Sequence, residues 1–88
     1  MSEPSGDVRA LVEQIAKALA DAPDQVSVNP VQDGETTVFE LTVAPNDIGK
    51  MIGKSGRTAR AMRAVISAAG IRSHKHYALE IVEEDERE

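Results

Sequence analysis

Apolar residues recur every three or four positions through residues 7–22, at Val8, Leu11, Val12, Ile15 and Leu19. That spacing predicts an amphipathic helix with these five on one face. Ser5 is placed as its N-cap, and Asp7 falls in the first turn, where a carboxylate suits the helix dipole. Pro23 ends it. The period then shortens to two. Val26, Val28 and Val31 mark a first strand, with Pro30 suggesting a sheet edge. Asp33-Gly34 reads as a type I′ hairpin turn. Residues 37–43 form a second strand with Phe39, Leu41 and Val43 on one side and Val38, Glu40 and Thr42 on the other. Such alternation predicts a sheet packed on helices through one face only.

The helical period returns after Pro45, which opens a short helix over 46–52 with Ile48 and Ile52 stacked at i, i+4. Gly53-Lys54-Ser55-Gly56 interrupts it, and a longer helix follows over 57–69. Thr58, Ala61, Met62, Val65, Ile66 and Ala69 cluster on its predicted inner side, with Arg57, Arg60, Arg63 and Ser67 opposite. Gly70 is placed as its C′ residue. Residues 71–76 read as a polar, basic loop and residues 77–82 as the last strand. The predicted order is α-β-β-α-α-β, an α+β fold with a three-stranded sheet and helices on one face. Residues 1–6 and the acidic run 84–88 are expected to be solvated tails of a single domain spanning 7–83.

Composition narrows the chemistry. At 88 residues and with no cysteine, the chain has one modest core, and thiol catalysis, disulfides and cysteine-ligated zinc are excluded. Aromatics are 2% of the residues, so the core must be aliphatic. No apolar run is long enough to span a bilayer. The start of the chain is acidic and polar, unlike a secretory signal, and the expected location is cytoplasmic.

The net charge of −5 argues, as an average, against nucleic acid. Its distribution argues otherwise. Residues 1–47 hold nine acids and two bases, and residues 80–88 hold six acids and one base. Between them, residues 48–79 carry Lys50, Lys54, Arg57, Arg60, Arg63, Arg72 and Lys75 with no acid at all. Such asymmetry marks a site for something negative.

The middle of that stretch is Ile48-Gly49-Lys50-Met51-Ile52-Gly53-Lys54-Ser55-Gly56-Arg57. Two helices meeting at a Gly-x-x-Gly turn bring backbone close to a ligand, because no Cβ intervenes. The second helix starts there with its unpaired N–H groups and positive dipole end. A P-loop needs a glycine five residues before Gly53, and that position is Ile48. A nucleophile elbow around Ser55 needs glycine at position 57, which is Arg57. His74 and His76 lack further ligands at metal-binding spacing. No metal, cofactor or catalytic group is therefore assigned.

Ile-Gly-Lys-x-Ile-Gly-Lys-x-Gly-Arg within this element order resembles a KH domain of the bacterial, type II topology. With Thr36-Thr37-Val38, Val43-Ala44-Pro45 and Arg57-Thr58-Ala59 around it, the chain is similar to the small stand-alone KH proteins of the KhpA type, from Val8 to about Glu83. The resemblance implies an antiparallel hairpin and a last strand parallel to the second. It implies non-catalytic binding of single-stranded RNA, as a post-transcriptional regulator or RNA chaperone, with the loop clamping about four nucleotides. It also implies pairing with itself or with a larger Jag-type KH protein. The expected RNA-binding residues are Ile48, Gly49, Lys50, Ile52, Gly53, Lys54, Ser55, Gly56, Arg57 and Arg60. Ile48, Ile52 and the second strand are expected to line a base groove, with Arg63, Arg72 and Lys75 as outer contacts. The alternative is a dimerisation adaptor with little RNA affinity.

Overall fold

The computed structural model describes residues 4–83; the expected tails lie largely outside them. Helix α1 (Pro4–Leu19) is followed by strands β1 (Ser27–Asp33) and β2 (Thr36–Thr42). Helices α2 (Ile48–Ile52) and α3 (Arg57–Arg72) and strand β3 (His76–Ile81) complete the chain. One-turn 3-10 segments at Pro23–Gln25, Pro45–Asp47 and Lys54–Gly56 join them. The expected α-β-β-α-α-β order is present.

The sheet order is β1-β2-β3. β1 and β2 are antiparallel, with Val28 opposite Leu41; β2 and β3 are parallel, with Phe39 opposite Leu79. β1 is thus an edge strand, where Pro30 leaves no internal N–H unmatched. The buried side carries Val28, Phe39, Leu41, Tyr77 and Leu79. Phe39 and Tyr77 meet edge to face, 5.3 Å between centroids. The Tyr77 hydroxyl is buried without a partner, and burial pushes its phenol up. α1 lies over β1 and β2 through Val8, Val12 and Ala16, while α3 lies over β3 through Ala59, Met62, Ile66 and Gly70.

Several local expectations are corrected. α1 begins at Pro4, so Ser5 lies inside the helix rather than before it. Leu11 and Leu19 remain exposed, because the contact ridge is the i, i+4 row from Val8 to Ala16. α1 also ends at Leu19, before position 22, because the N–H groups of Asp21 and Ala22 donate to the Asp47 carboxylate at 3.0 Å each. In the hairpin Asp33 pairs with Thr36, which makes Gly34 and Glu35 the central pair. Only Gly34 has positive φ, as in type II′ turns, not the type I′ expected. Ala61 and Val65 face outward, because the sheet selects the neighbouring stripe of α3.

The end of α3 is also three residues later than the pattern suggested. Gly70 is inside the helix, where a Cβ would stand 2.7 Å from the Lys75 carbonyl oxygen. The left-handed position is filled by His74, φ 58°. The Lys75 N–H donates to the Gly70 carbonyl at 2.7 Å and the His74 N–H to that of Ile71 at 3.2 Å. This pair of bonds is a Schellman closure with histidine where glycine is usual.

Candidate functional site

The turn between α2 and α3 is built from a buried anchor outward. Met51 is fully buried and fixes α2, leaving Ile48 and Ile52 half-buried beside it and Gly49 and Lys50 exposed. Asp47, 1% exposed, holds the start of α2 against the end of α1 through the two bonds already described. Those N–H donors, aided by the Lys50 charge, hold its carboxyl below the ordinary carboxylate value of 3.8. Lys50 itself pairs with Asp21 at 3.2 Å.

α2 stops where the Gly53 N–H donates to the Gly49 carbonyl at 2.8 Å. Gly53 has φ 76° and ψ 170°, a region essentially closed to other residues. A Cβ there would also stand 2.8 Å from Thr58 Cβ and N. Ser55 (φ 57°) and Gly56 (φ 74°) then follow in left-handed geometry, and α3 begins at Arg57. A left-handed residue followed by a right-handed one turns successive N–H groups into a concavity that suits anions. α3 has no side-chain cap and no acid in its first turn, so its leading N–H groups lack a side-chain acceptor.

Basic groups surround this turn. Lys54, Ser55 and Arg57 are exposed. An Arg60 Nη lies 3.4 Å from the position a Gly56 Cβ would take, which puts its guanidinium over the turn. Arg63 reaches sideways, its Nε donating to the Leu79 carbonyl of β3 at 3.4 Å. Arg72 and Lys75 stand at the far end of α3, which is about 24 Å long. They also diverge. Arg72 lines a crevice of about 260 Å³ with Asp7, Val8, Ala69 and Ser73. Lys75 lines another of about 310 Å³ with Thr36, Ser67, Ile71, His76 and Tyr77. The structure therefore gathers Lys54, Ser55, Arg57 and Arg60 around one turn, ties Lys50 to Asp21, and leaves Arg72 and Lys75 outside it.

The strand beside this site is β3, not the second strand. β2 is central, so both its edges are paired. The Val82 N–H donates to the Leu41 carbonyl. In a parallel ladder alternate residues point the same way, so Tyr77, Leu79 and Ile81 turn their backbone groups to the open edge of β3. Two contributors escaped sequence reasoning. Asp47 stood next to the basic stretch but gave no sign that it reaches 25 residues back. Thr58, against Gly53, has no local signature. Among the described residues no three His, Asp or Glu side chains converge as for a metal, and no helix is long and apolar enough to cross a membrane.

A parallel β2/β3 pair flanking two helices joined by a Gly-x-x-Gly turn, with the hairpin strand antiparallel on the outer side, defines a KH domain of type II topology. The chain matches the family described as KhpA/KhpB, KH domain, over residues 9–81, and belongs to that family. It is 47% identical over 75 residues to the RNA-binding protein KhpA of Clostridium acetobutylicum, covering 85% of this chain and all of that one. It is 46% identical over 70 residues to the KhpA of Chlamydia trachomatis (80% and 90% covered). The KhpA of Aquifex aeolicus is 43% identical over 76 residues (86% and 96% covered). No solved structure matches the chain.

Proposed function

We propose that this protein binds single-stranded RNA without catalysis, its phosphates held at the Gly53–Gly56 turn and its bases lying between α3 and the open edge of β3. One observation carries this. The turn joins left-handed Gly56 to an α3 N-terminus with no acid and no side-chain cap, under Lys54, Arg57 and Arg60. A helix N-terminus with no side-chain cap, together with these positive charges, suits a phosphodiester. The related proteins named above are RNA-binding. The cellular role that follows is that of a cytoplasmic post-transcriptional regulator or RNA chaperone.

One small groove gives modest affinity, so pairing with a second KH domain, its own copy or a Jag-type protein, would add avidity. Val65 and Ile71, 45% and 75% exposed on the outer side of α3, support such pairing. Sedimentation at rising concentration, alone and with that partner, reads it, and a monomer in both cases counts against it.

Exchanging Lys54 and Ser55 together for Asp tests the RNA site. The turn changes from one positive charge to two negative ones where phosphates would sit, and RNA affinity is expected to fall more than about tenfold. Both side chains are exposed, so the melting temperature stays near that of wild type. Unchanged binding would remove the turn as the clamp and leave the adaptor. Unlabelled duplex should compete less well than unlabelled single strand, because a duplex hides its bases.

A further inference from the structure

Lys50 stands apart from the other bases of residues 48–79, because among the described residues it alone of them forms an ion pair. Its Nζ lies 3.2 Å from Asp21 Oδ2. The stretch itself holds no acid, so the partner comes from elsewhere, just past the end of α1. Asp21 is firmly placed there. Its N–H donates to the buried Asp47 carboxylate at 3.0 Å, which fixes the connection against the start of α2. The Asp47 charge also attracts Lys50. Two carboxylates, one fixed by burial and one through its backbone, therefore draw the Lys50 ammonium to the end of α1.

Lys50 lies on α2 only three residues before Gly53. Lys54, Arg57 and Arg60 around the turn have no acid partner among the described residues. A lysine ammonium is a point charge on a flexible stem, free to follow whichever anion is nearest. Its pair with Asp21 is open to water, the side chains being 44% and 81% exposed. An exposed pair of this kind contributes little to folding. Its consequence falls on binding, because a base already held by a carboxylate is not free for a phosphate.

We infer that Asp21 is a built-in competitor of RNA, an autoinhibitory contact that holds Lys50 in the free protein so that a phosphate beside α2 must displace a carboxylate to reach it. This rests on the RNA-binding function proposed above and adds to it a device that weakens the site from outside. Lys54, Arg57 and Arg60 meet RNA at full charge, Lys50 is withheld, and Asp21 lowers the affinity of the whole.

Anisotropy titrations of a labelled octaribonucleotide of mixed sequence, at several salt concentrations, test it. Asparagine at position 21 keeps the N–H that Asp47 accepts, and Asp21→Ser repeats the measurement should the amide disturb the connection. Asp21→Asn should bind about threefold tighter than wild type at low salt, and its log–log salt slope should steepen by up to about 0.7, one further phosphate. Adding Lys50→Gln should remove that gain. Asp24 is exposed in the same connection and forms no ion pair among the described residues. Asp24→Asn therefore measures what losing a nearby negative charge does by itself, and should tighten binding less than about 1.5-fold. If Asp21→Asn binds no tighter than Asp24→Asn, the inference is overturned and RNA binding stands. A gain that survives Lys50→Gln also overturns it, since Asp21 would then repel RNA directly. Wild-type protein that binds no RNA overturns both the inference and the function it rests on.

Discussion

The two ends of α3 use the same backbone device for opposite purposes. At the C-terminal end, left-handed His74 lets the chain fold back, and the Ser73, His74 and Lys75 N–H groups all find carbonyls of the last helical turns. Gly70 is there so that Lys75 can cross closely. At the N-terminal end, left-handed Ser55 and Gly56 also reverse the chain. There no side chain caps the helix, and its first turn carries no acid. Both turns are braced by backbone bonds, the N-terminal one through Gly56 N–H to the Gly53 carbonyl at 3.0 Å and Arg57 N–H to that of Lys54. The difference lies in what surrounds them: the N-terminal turn presents the positive end of the helix beside exposed basic side chains, as an anion site needs. Left-handed geometry alone does not mark function; what distinguishes the ends is the dipole and the side-chain charge around each turn.

That contrast is open to direct attack, and the largest effect is expected at Gly53. Gly53→Ala forces an alanine into φ 76°, ψ 170° and drives its Cβ into Thr58. Strain and overpacking together should destabilise the fold by about 3 kcal/mol, read by urea denaturation. A loss under about 1 kcal/mol would mean that the turn rearranges freely and that its geometry is not imposed. Gly70→Ala comes next, at about 2 kcal/mol, because the Lys75 carbonyl stands 2.7 Å from the new methyl but the backbone itself is helical. The folded Gly70→Ala protein should bind RNA within about twofold of wild type. A larger loss would couple the C-terminal end to the site and erase the distinction between them.

The N-terminal turn takes its rigidity from Asp47, which latches α2 to the end of α1. Asp47→Asn leaves one of the two N–H donors without an acceptor, and the melting temperature should fall by about 5 °C. The pH dependence has a definite sign. The folded-state pKa lies below the ordinary 3.8, so the latch stabilises fully above that value. Its contribution is lost as pH falls further, through the folded-state value. Melting curves from pH 7 to pH 2 should therefore show a shallower acid limb in the variant. Parallel limbs would show that the charge on Asp47 contributes nothing.

What could be read from the sequence was what local pattern determines. Alternation at Phe39, Leu41 and Val43 gave the second strand, and the spacing of Gly53, Gly56, Arg57 and Arg60 gave a glycine turn with basic residues beside it. What could not be read depended on partners far along the chain. Whether Val65 or Ala59 faces inward is decided by the sheet beneath α3, not by the helix. Gly70 fits the local rule for a C′ residue, and only the path of Lys75 shows why a glycine is needed one turn earlier. Arg72 and Lys75 are three residues apart, yet they lie on opposite flanks of α3. The bonds from Asp21 and Ala22 to Asp47 leave no trace in either local segment.

The smallest and most discriminating effects come from one substitution made at both ends. Ser55 and His74 have nearly the same φ, 57° and 58°, and neither has the freedom of glycine there. Replacing either by glycine removes a left-handed penalty of about 1 kcal/mol and returns part of it through the more flexible unfolded chain. The net gain should be about 0.5 kcal/mol, or roughly 2–4 °C in melting temperature, at each position. At His74 the closing hydrogen bonds still hold the chain, so RNA affinity should not change. At Ser55 no side chain closes the turn, and with Gly53 and Gly56 already present a third glycine loosens the clamp before RNA arrives. Ordering it on binding then costs more, and affinity should drop about twofold despite the gain in stability. If Ser55→Gly binds as tightly as wild type, the turn is not held ready for its ligand, and the two ends of α3 differ only in charge.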